Sequence, residues 1–159
     1  MTFSDKNWEQ RETVLGDPAE TAFEKYANGR QLAVVRYGLC RPPINMARVP
    51  VQLRYTPDYL TDVGLVEVQG CGHDQTFKFK HDKLWAVSQW EKQDDMWWFL
   101  WNQPHDTHAV VSHAAIIRLC SDQGISYRVD GYFDGTKPYS AVTWEQLQKI
   151  VFTGESVVT

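Results

Sequence analysis

The sequence predicts a single-domain α/β fold, a mixed sheet flanked by helices, and three observations predict it. A capped helix signal opens at Asp17. Runs rich in β-branched and aromatic residues recur at 31–39, 65–69 and 96–101, and longer amphipathic stretches lie between them. At 159 residues the chain is long enough for one core and short for two, so one domain over 1–159 is expected. Hydrophobic residues at 43% and charged residues at 23% are ordinary globular values, which points away from disorder.

In chain order, Asp17 reads as an N-cap, with Pro18 in the first turn and Glu20 as capping-box partner. Ala19, Ala22, Phe23 and Tyr26 form the apolar stripe, and Asn28-Gly29 is the stop. Residues 31–39 predict a strand through Leu32, Val34, Val35 and Tyr37, and 40–50, with three prolines, an irregular loop. Strands are expected at 51–55 and 65–69, a helix over 76–93 with Phe79, Leu84, Val87 and Trp90 inward, and an apolar strand at 96–101. Beyond it, 107–122 predicts a helix, 125–139 a hairpin or loop, and 143–152 a final helix capped by Thr143.

The residues with the most chemical content are Pro57-Asp58 and, nine positions after the aspartate, Glu67-Val68-Gln69. Side chains alternate across a strand, so Leu65, Glu67 and Gln69 share one face while Val66 and Val68 take the other. If a hairpin turns around 59–63, Asp58 comes beside Glu67 and forms an oxygen-rich pocket suited to a hard cation such as Mg2+. Such a pocket is chemically equipped to hydrolyse phosphodiesters.

This pattern resembles the PD-(D/E)xK nuclease superfamily: Pro57, Asp58 and Glu67 match, and Gln69 stands where lysine is usual. The resemblance covers roughly 17–102 and implies a restriction-endonuclease-like core of order αβββαβ, with 103–159 as a C-terminal helical extension. It further implies Mg2+-dependent cleavage of DNA, with Mn2+ as substitute. Asp58 would be the central metal ligand, Glu67 the second and the Val68 carbonyl a third, while Glu20, in the run Gly16-x-x-x-Glu20, would hold an outer water or second ion. Gln69, with Lys80 or Lys83 as the candidate source of positive charge, would position the nucleophile. Proteins of this type and size include homodimeric junction-resolving enzymes of phage replication and recombination. Exonuclease, flap or Holliday-junction endonuclease and site-specific endonuclease all stay open.

The net charge of −4 is awkward for a polyanion-binding protein, but charge distribution matters more than its sum. Between Ala27 and Pro57 the chain carries Arg30, Arg36, Arg41, Arg48 and Arg54 and no acidic residue, which makes Arg36, Arg41, Arg48 and Arg54 candidate phosphate contacts. Trp97, Phe99 and Trp101 are expected on one face of their strand and Trp98 on the other. A strand buried on both faces explains them, and a protein interface through Trp97, Trp98 and Trp101 is the alternative. Three scattered cysteines without a C-x-x-C pair suggest incidental thiols, and the histidines at 105, 108 and 113 read as surface or capping residues. No apolar run reaches membrane-spanning length and 1–6 lacks a signal pattern, so the expected compartment is cytoplasm, that of the host if the gene is a phage's. A non-catalytic nuclease fold that binds DNA or protein, and an acidic interaction protein, are the competing expectations.

Overall fold

The computed structural model describes residues 17–38, 48–132 and 135–152. In chain order the elements are α1 (Asp17–Gly29), β1 (Val34–Arg36), α2 (Val51–Arg54), β2 (Tyr59–Thr61), β3 (Gly64–Cys71), β4 (Thr76–Lys80), α3 (His81–Trp90) and β5 (Met96–Asn102). A single 3-10 turn (Gln103–His105) leads to β6 (Thr107–Ser112), α4 (His113–Cys120), β7 (Ser126–Tyr132), β8 (Gly135–Thr143) and α5 (Trp144–Phe152). The fold is mixed α/β. One sheet has the order β1-β2-β3-β5-β6, and a second has the order β4-β8-β7.

In the larger sheet only β3 and β5 run parallel, so the chain must cross over between them, and β4 with α3 makes that crossing. The sheet is buried on both faces. On one side Leu65, Trp98, Leu100 and Val111 pack with Phe77 and Phe79 of β4 and with Leu84, Ile116 and Leu147 of the helices. On the other, Val66 and Phe99 meet Phe23 and Ala27 of α1. The β5 alternation expected from sequence is present: Trp98 is fully buried in the first cluster, while Trp97 and Trp101 flank the second. Trp98 therefore offers no surface to a partner.

Four element assignments are corrected. Residues 51–55 are not a strand: Val51–Arg54 is a short helix in which Arg54 and Tyr55 bond back to Pro50 and Val51, and none of its residues is buried. Five residues give alternation too little length to separate it from one helical turn. The strand that pairs with β3 is instead Tyr59–Thr61, which the sequence reading had assigned to the turn. The helix expected over 76–93 begins only at His81, because Thr-Phe-Lys-Phe-Lys alternates with period two and buries Phe77 and Phe79 completely. Likewise 107–112 is β6, buried through Ala109 and Val111, and the helix starts at His113 with Ser112 capping the Ala115 N–H. Residues 103–152 thus extend both sheets and are no helical appendage. The hairpin over 125–139 is β7-β8, and the final helix lies where expected.

The β2-β3 turn depends on Gly64. Its φ is +122°, and a Cβ there would run into the carbonyl of Asp95, which accepts the Leu65 N–H at 2.8 Å. Gly64→Ala is therefore expected to cost about 2 kcal/mol or more. At roughly 2–4 °C per kcal/mol for a chain of this size, the melting temperature should fall by about 4 °C or more; an unchanged value would refute the strained-turn argument.

Candidate active site

The register Tyr59↔Val66 and Leu60↔Leu65 puts Asp58, one residue before β2, opposite Glu67. Asp58 is held from both ends. Its carbonyl accepts the N–H groups of Tyr37 (2.9 Å) and Gly38 (3.1 Å), and its Oδ2 accepts the Val68 N–H at 2.8 Å. Gly38 packs so closely that a Cβ would lie 3.1 Å from the Asp58 Cα. In an extended strand a residue's N–H and C=O point to the same edge, so the Val68 carbonyl belongs to Asp58's side of β3.

Glu67 projects from β3 onto the face that α3 covers, and it is only 3% exposed. There its Oε1 contacts the ammonium of Lys83, which also lies 5.5 Å from the centre of the Trp98 ring. Glu67 Oε2 is buried and accepts no hydrogen bond. Two carboxylates and one lysine thus share one enclosure. Burial, then the neighbouring Asp58 charge, pushes Glu67 up to about 8 despite Lys83. Burial also raises Asp58, against the pull of Lys83 and the Val68 N–H. For Lys83, burial alone would lower the pKa, but Glu67 and Asp58 outweigh it and the ammonium is held above its ordinary range.

The other expected site residues lie apart from this cluster. Gln69 shares Glu67's face but turns its amide to the Lys78 carbonyl (3.3 Å), tying β3 to β4. Lys80 occupies the N-cap position of α3. Glu20 pairs with Arg36 at 2.9 Å, and Arg36 also bonds Glu24 at 3.0 Å, while the Tyr59 hydroxyl donates to Glu24 at 2.7 Å. Arg36 is thereby engaged by two glutamates of α1, and its charge also favours ionised Asp58. Of the remaining arginines, Arg54 donates to the Val49 carbonyl, Arg48 is exposed, and Arg41 lies outside the described residues.

Sequence reading missed a second network beside the first. Asp82, next to Lys83, accepts the Tyr55 hydroxyl at 3.0 Å and pairs with Lys137 at 3.3 Å. These partners are 27 and 55 positions from Asp82, and no local spacing signals them. It also misjudged His113, which is fully buried: Nδ1 accepts the Trp98 indole N–H at 3.0 Å, and Nε2 meets the Ser88 hydroxyl at 2.8 Å. Burial pulls His113 down to about 4, so it is neutral in the fold.

Among the described residues no three carboxylate, imidazole or thiolate groups converge as a metal cluster. Asp58 and Glu67 form a pair, and together with the Val68 carbonyl they are hard oxygen donors of the kind Mg2+ takes while keeping several waters. Glu67 and Asp58 share a side-chain hydrogen bond, and two carboxyl groups against one lysine make a donor set that fits a cation displacing their shared proton. Comparison with family models, curated proteins and solved structures finds no match, so the chemistry is argued from this geometry.

The raised Glu67 has a stability consequence. The folded state holds its proton more tightly than the unfolded chain, so its contribution is complete below about 4.5 and is lost as pH rises through about 8. His113 acts oppositely, its contribution being present above about 6.5 and lost as pH falls through about 4. Between pH 6.5 and 8, without divalent metal, the wild type should lose melting temperature while Glu67→Gln stays nearly level. From pH 6.5 to 8 the stability difference between the two should move in the variant's favour by on the order of 2 kcal/mol. Parallel thermal melts in chelator check this, and a wild type that is flat across the window would count against the buried-carboxylate account.

Proposed function

We propose that this chain is a metal-dependent deoxyribonuclease with a restriction-endonuclease-like core, in which a helix lysine, Lys83, takes the part of the usual strand lysine. The observation that supports it most is the meeting of Asp58, Glu67 and Lys83 in one enclosure where β2 and β3 part. The order α1, β1, β2, β3, α3, β5, with α2 and β4 inserted in it, and the crossover between the parallel β3 and β5, also supports the core.

Asp58 and Glu67, with the Val68 carbonyl, would hold a cation such as Mg2+ or Mn2+. When bound, it supplies Lewis-acid charge to a phosphoryl oxygen. The Val68 N–H fixes the Asp58 carboxylate through Oδ2. Lys83 keeps its proton because both carboxylates favour the ammonium. It is therefore a donor and a positive charge, able to orient a water and to stabilise charge that builds on the phosphate. Gln69, engaged with β4, acts as a brace for that strand. Glu20 and Glu24 act through Arg36 and Tyr59, setting α1 against the Asp58 turn.

Cleavage of single-stranded, duplex, flap and four-way DNA in Mg2+ or Mn2+ tests the reading. Asp58→Asn and Glu67→Gln should each abolish metal-dependent cleavage with the fold retained by circular dichroism. Full activity in either, or a wild type inert with every substrate and metal, overturns the proposal and leaves a binding role for the fold. Lys83→Ala should lose on the order of 100-fold in rate, and Gln69→Ala much less. The reverse ranking would assign the positioning to the glutamine.

A further inference from the structure

The second sheet carries an arrangement of charge that the catalytic reading does not use. Its registers, Lys80↔Tyr139↔Arg128 and Lys78↔Ala141↔Ser126, put Lys78 and Lys80 of β4, Lys137 of β8 and Arg128 of β7 on one face. The opposite face bears Phe77, Phe79 and Val142, which are buried in the core; on the cationic face Tyr139 and Ala141 of the central strand are buried too, and its exposed cations, Lys78 and Arg128, stand on the flanking strands. Lys78 and Arg128 are exposed, and Lys80 and Lys137 half-buried. Asp130 shares this face, accepting from the Tyr139 hydroxyl and pairing with Lys78 at 3.3 Å. An exposed pair of that kind contributes only about 0–1 kcal/mol, so a phosphate can replace the carboxylate at little cost.

In a chain of net charge −4, four cations set against Asp130 on the face and Asp82 beside Lys137 form a concentrated positive surface. It adjoins the cluster described above. The Gln69 amide bonds the Lys78 carbonyl, and Lys137 reaches Asp82, the residue before Lys83. Along β4 the two lysines are roughly 6.8 Å apart, and β7 lies two strand spacings, roughly 10 Å, from β4. That grid matches a run of backbone phosphates. Arg36 and Arg54 are less suited, since Arg36 is held by Glu20 and Glu24 and Arg54 by the Val49 carbonyl.

We infer that the outer face of the β4-β8-β7 sheet, through Lys78, Lys80, Arg128 and Lys137, binds the phosphate backbone of duplex DNA and leads it to the Asp58–Glu67–Lys83 site. The inference rests on the nuclease reading for its choice of ligand. The test is binding of a fluorescent DNA duplex by the full chain across a salt series, with Ca2+ in place of Mg2+. The double variant Lys78→Gln/Arg128→Gln should weaken binding at least 10-fold at low salt and flatten the slope of log affinity against log salt by about 2. Lys149→Gln, on α5, should leave both unchanged. A double variant with the wild-type slope, or a wild type that binds no duplex at low salt, overturns the inference. Cleavage by a wild type whose slope does not depend on this face would retain the nuclease reading without it. Face-dependent binding with no cleavage in Mg2+ or Mn2+ would retain the binding surface and remove the nuclease reading.

Discussion

The enclosure of Lys83 between Glu67 and the Trp98 ring is the contact on which the rest of the site depends. A lysine brought so far out of water needs compensating charge, and the two carboxylates at the β2-β3 divergence supply it. Removing the lysine would strand them, at a cost of about 3–5 kcal/mol for a broken buried pair. Yet the arrangement is not balanced. One lysine faces two carboxyl groups, and the imbalance appears as the raised Glu67, which keeps its proton near neutral pH and shares a hydrogen bond with Asp58. A core designed only for stability would not retain such a group, because an apolar residue of similar volume avoids the desolvation. A site that takes up a second cation has a use for it.

The core around this enclosure holds it rigidly. Trp98 lies against Lys83 on one side and stacks on His113 on the other, its indole N–H donating to the histidine. With Nδ1 accepting, neutral His113 carries its proton on Nε2 and donates it to Ser88, whose hydroxyl donates to the Leu84 carbonyl. Ser88 and Leu84 belong to α3, the helix that carries Lys83. One polar chain therefore runs from β5 through α4 to α3 and sets how α3 sits over the sheet. Every member of it is satisfied, which is the condition for a buried network to add rigidity.

The fold class, the first helix, the β3 and β5 strands, the β7-β8 hairpin and the last helix were legible because each carries a long or capped periodic signal. The errors were short. Four residues after Pro50 alternate like a strand and coil into a turn of helix, and two strands, β4 and β6, were absorbed into the helices that directly follow them. In both cases the period changes from two to 3.6 with no glycine or proline between, at Lys80-His81 and at Ser112-His113, so no breaker marked the boundary. For the site, the carboxylate pair and the sharing of a face by Leu65, Glu67 and Gln69 could be read from strand alternation. The partners of each could not. Whether Lys80 or Lys83 faces Glu67 depends on where α3 begins, and the engagement of Glu20 by Arg36 is a tertiary contact between α1 and β1.

The same shift of one helix boundary bears on why position 69 holds a glutamine. Had 76–93 been one helix, Lys80 and Lys83 would have stood on one face and been alternatives. With β4 occupying 76–80, strand geometry sends Lys78 and Lys80 to the outer face of the second sheet, and only Lys83, in the first turn of α3, points back at Glu67. β4 also crosses close to Gln69, whose amide caps the Lys78 carbonyl. A lysine at 69 would meet that carbonyl with a charge and compete with Lys83 for the same carboxylates. A neutral amide satisfies the strand and leaves Glu67 to the helix lysine. On the proposed nuclease reading, the glutamine at 69 is in this way tied to the β4 crossing, and the cations that this strand turns away from Glu67 form the positive face beside the site.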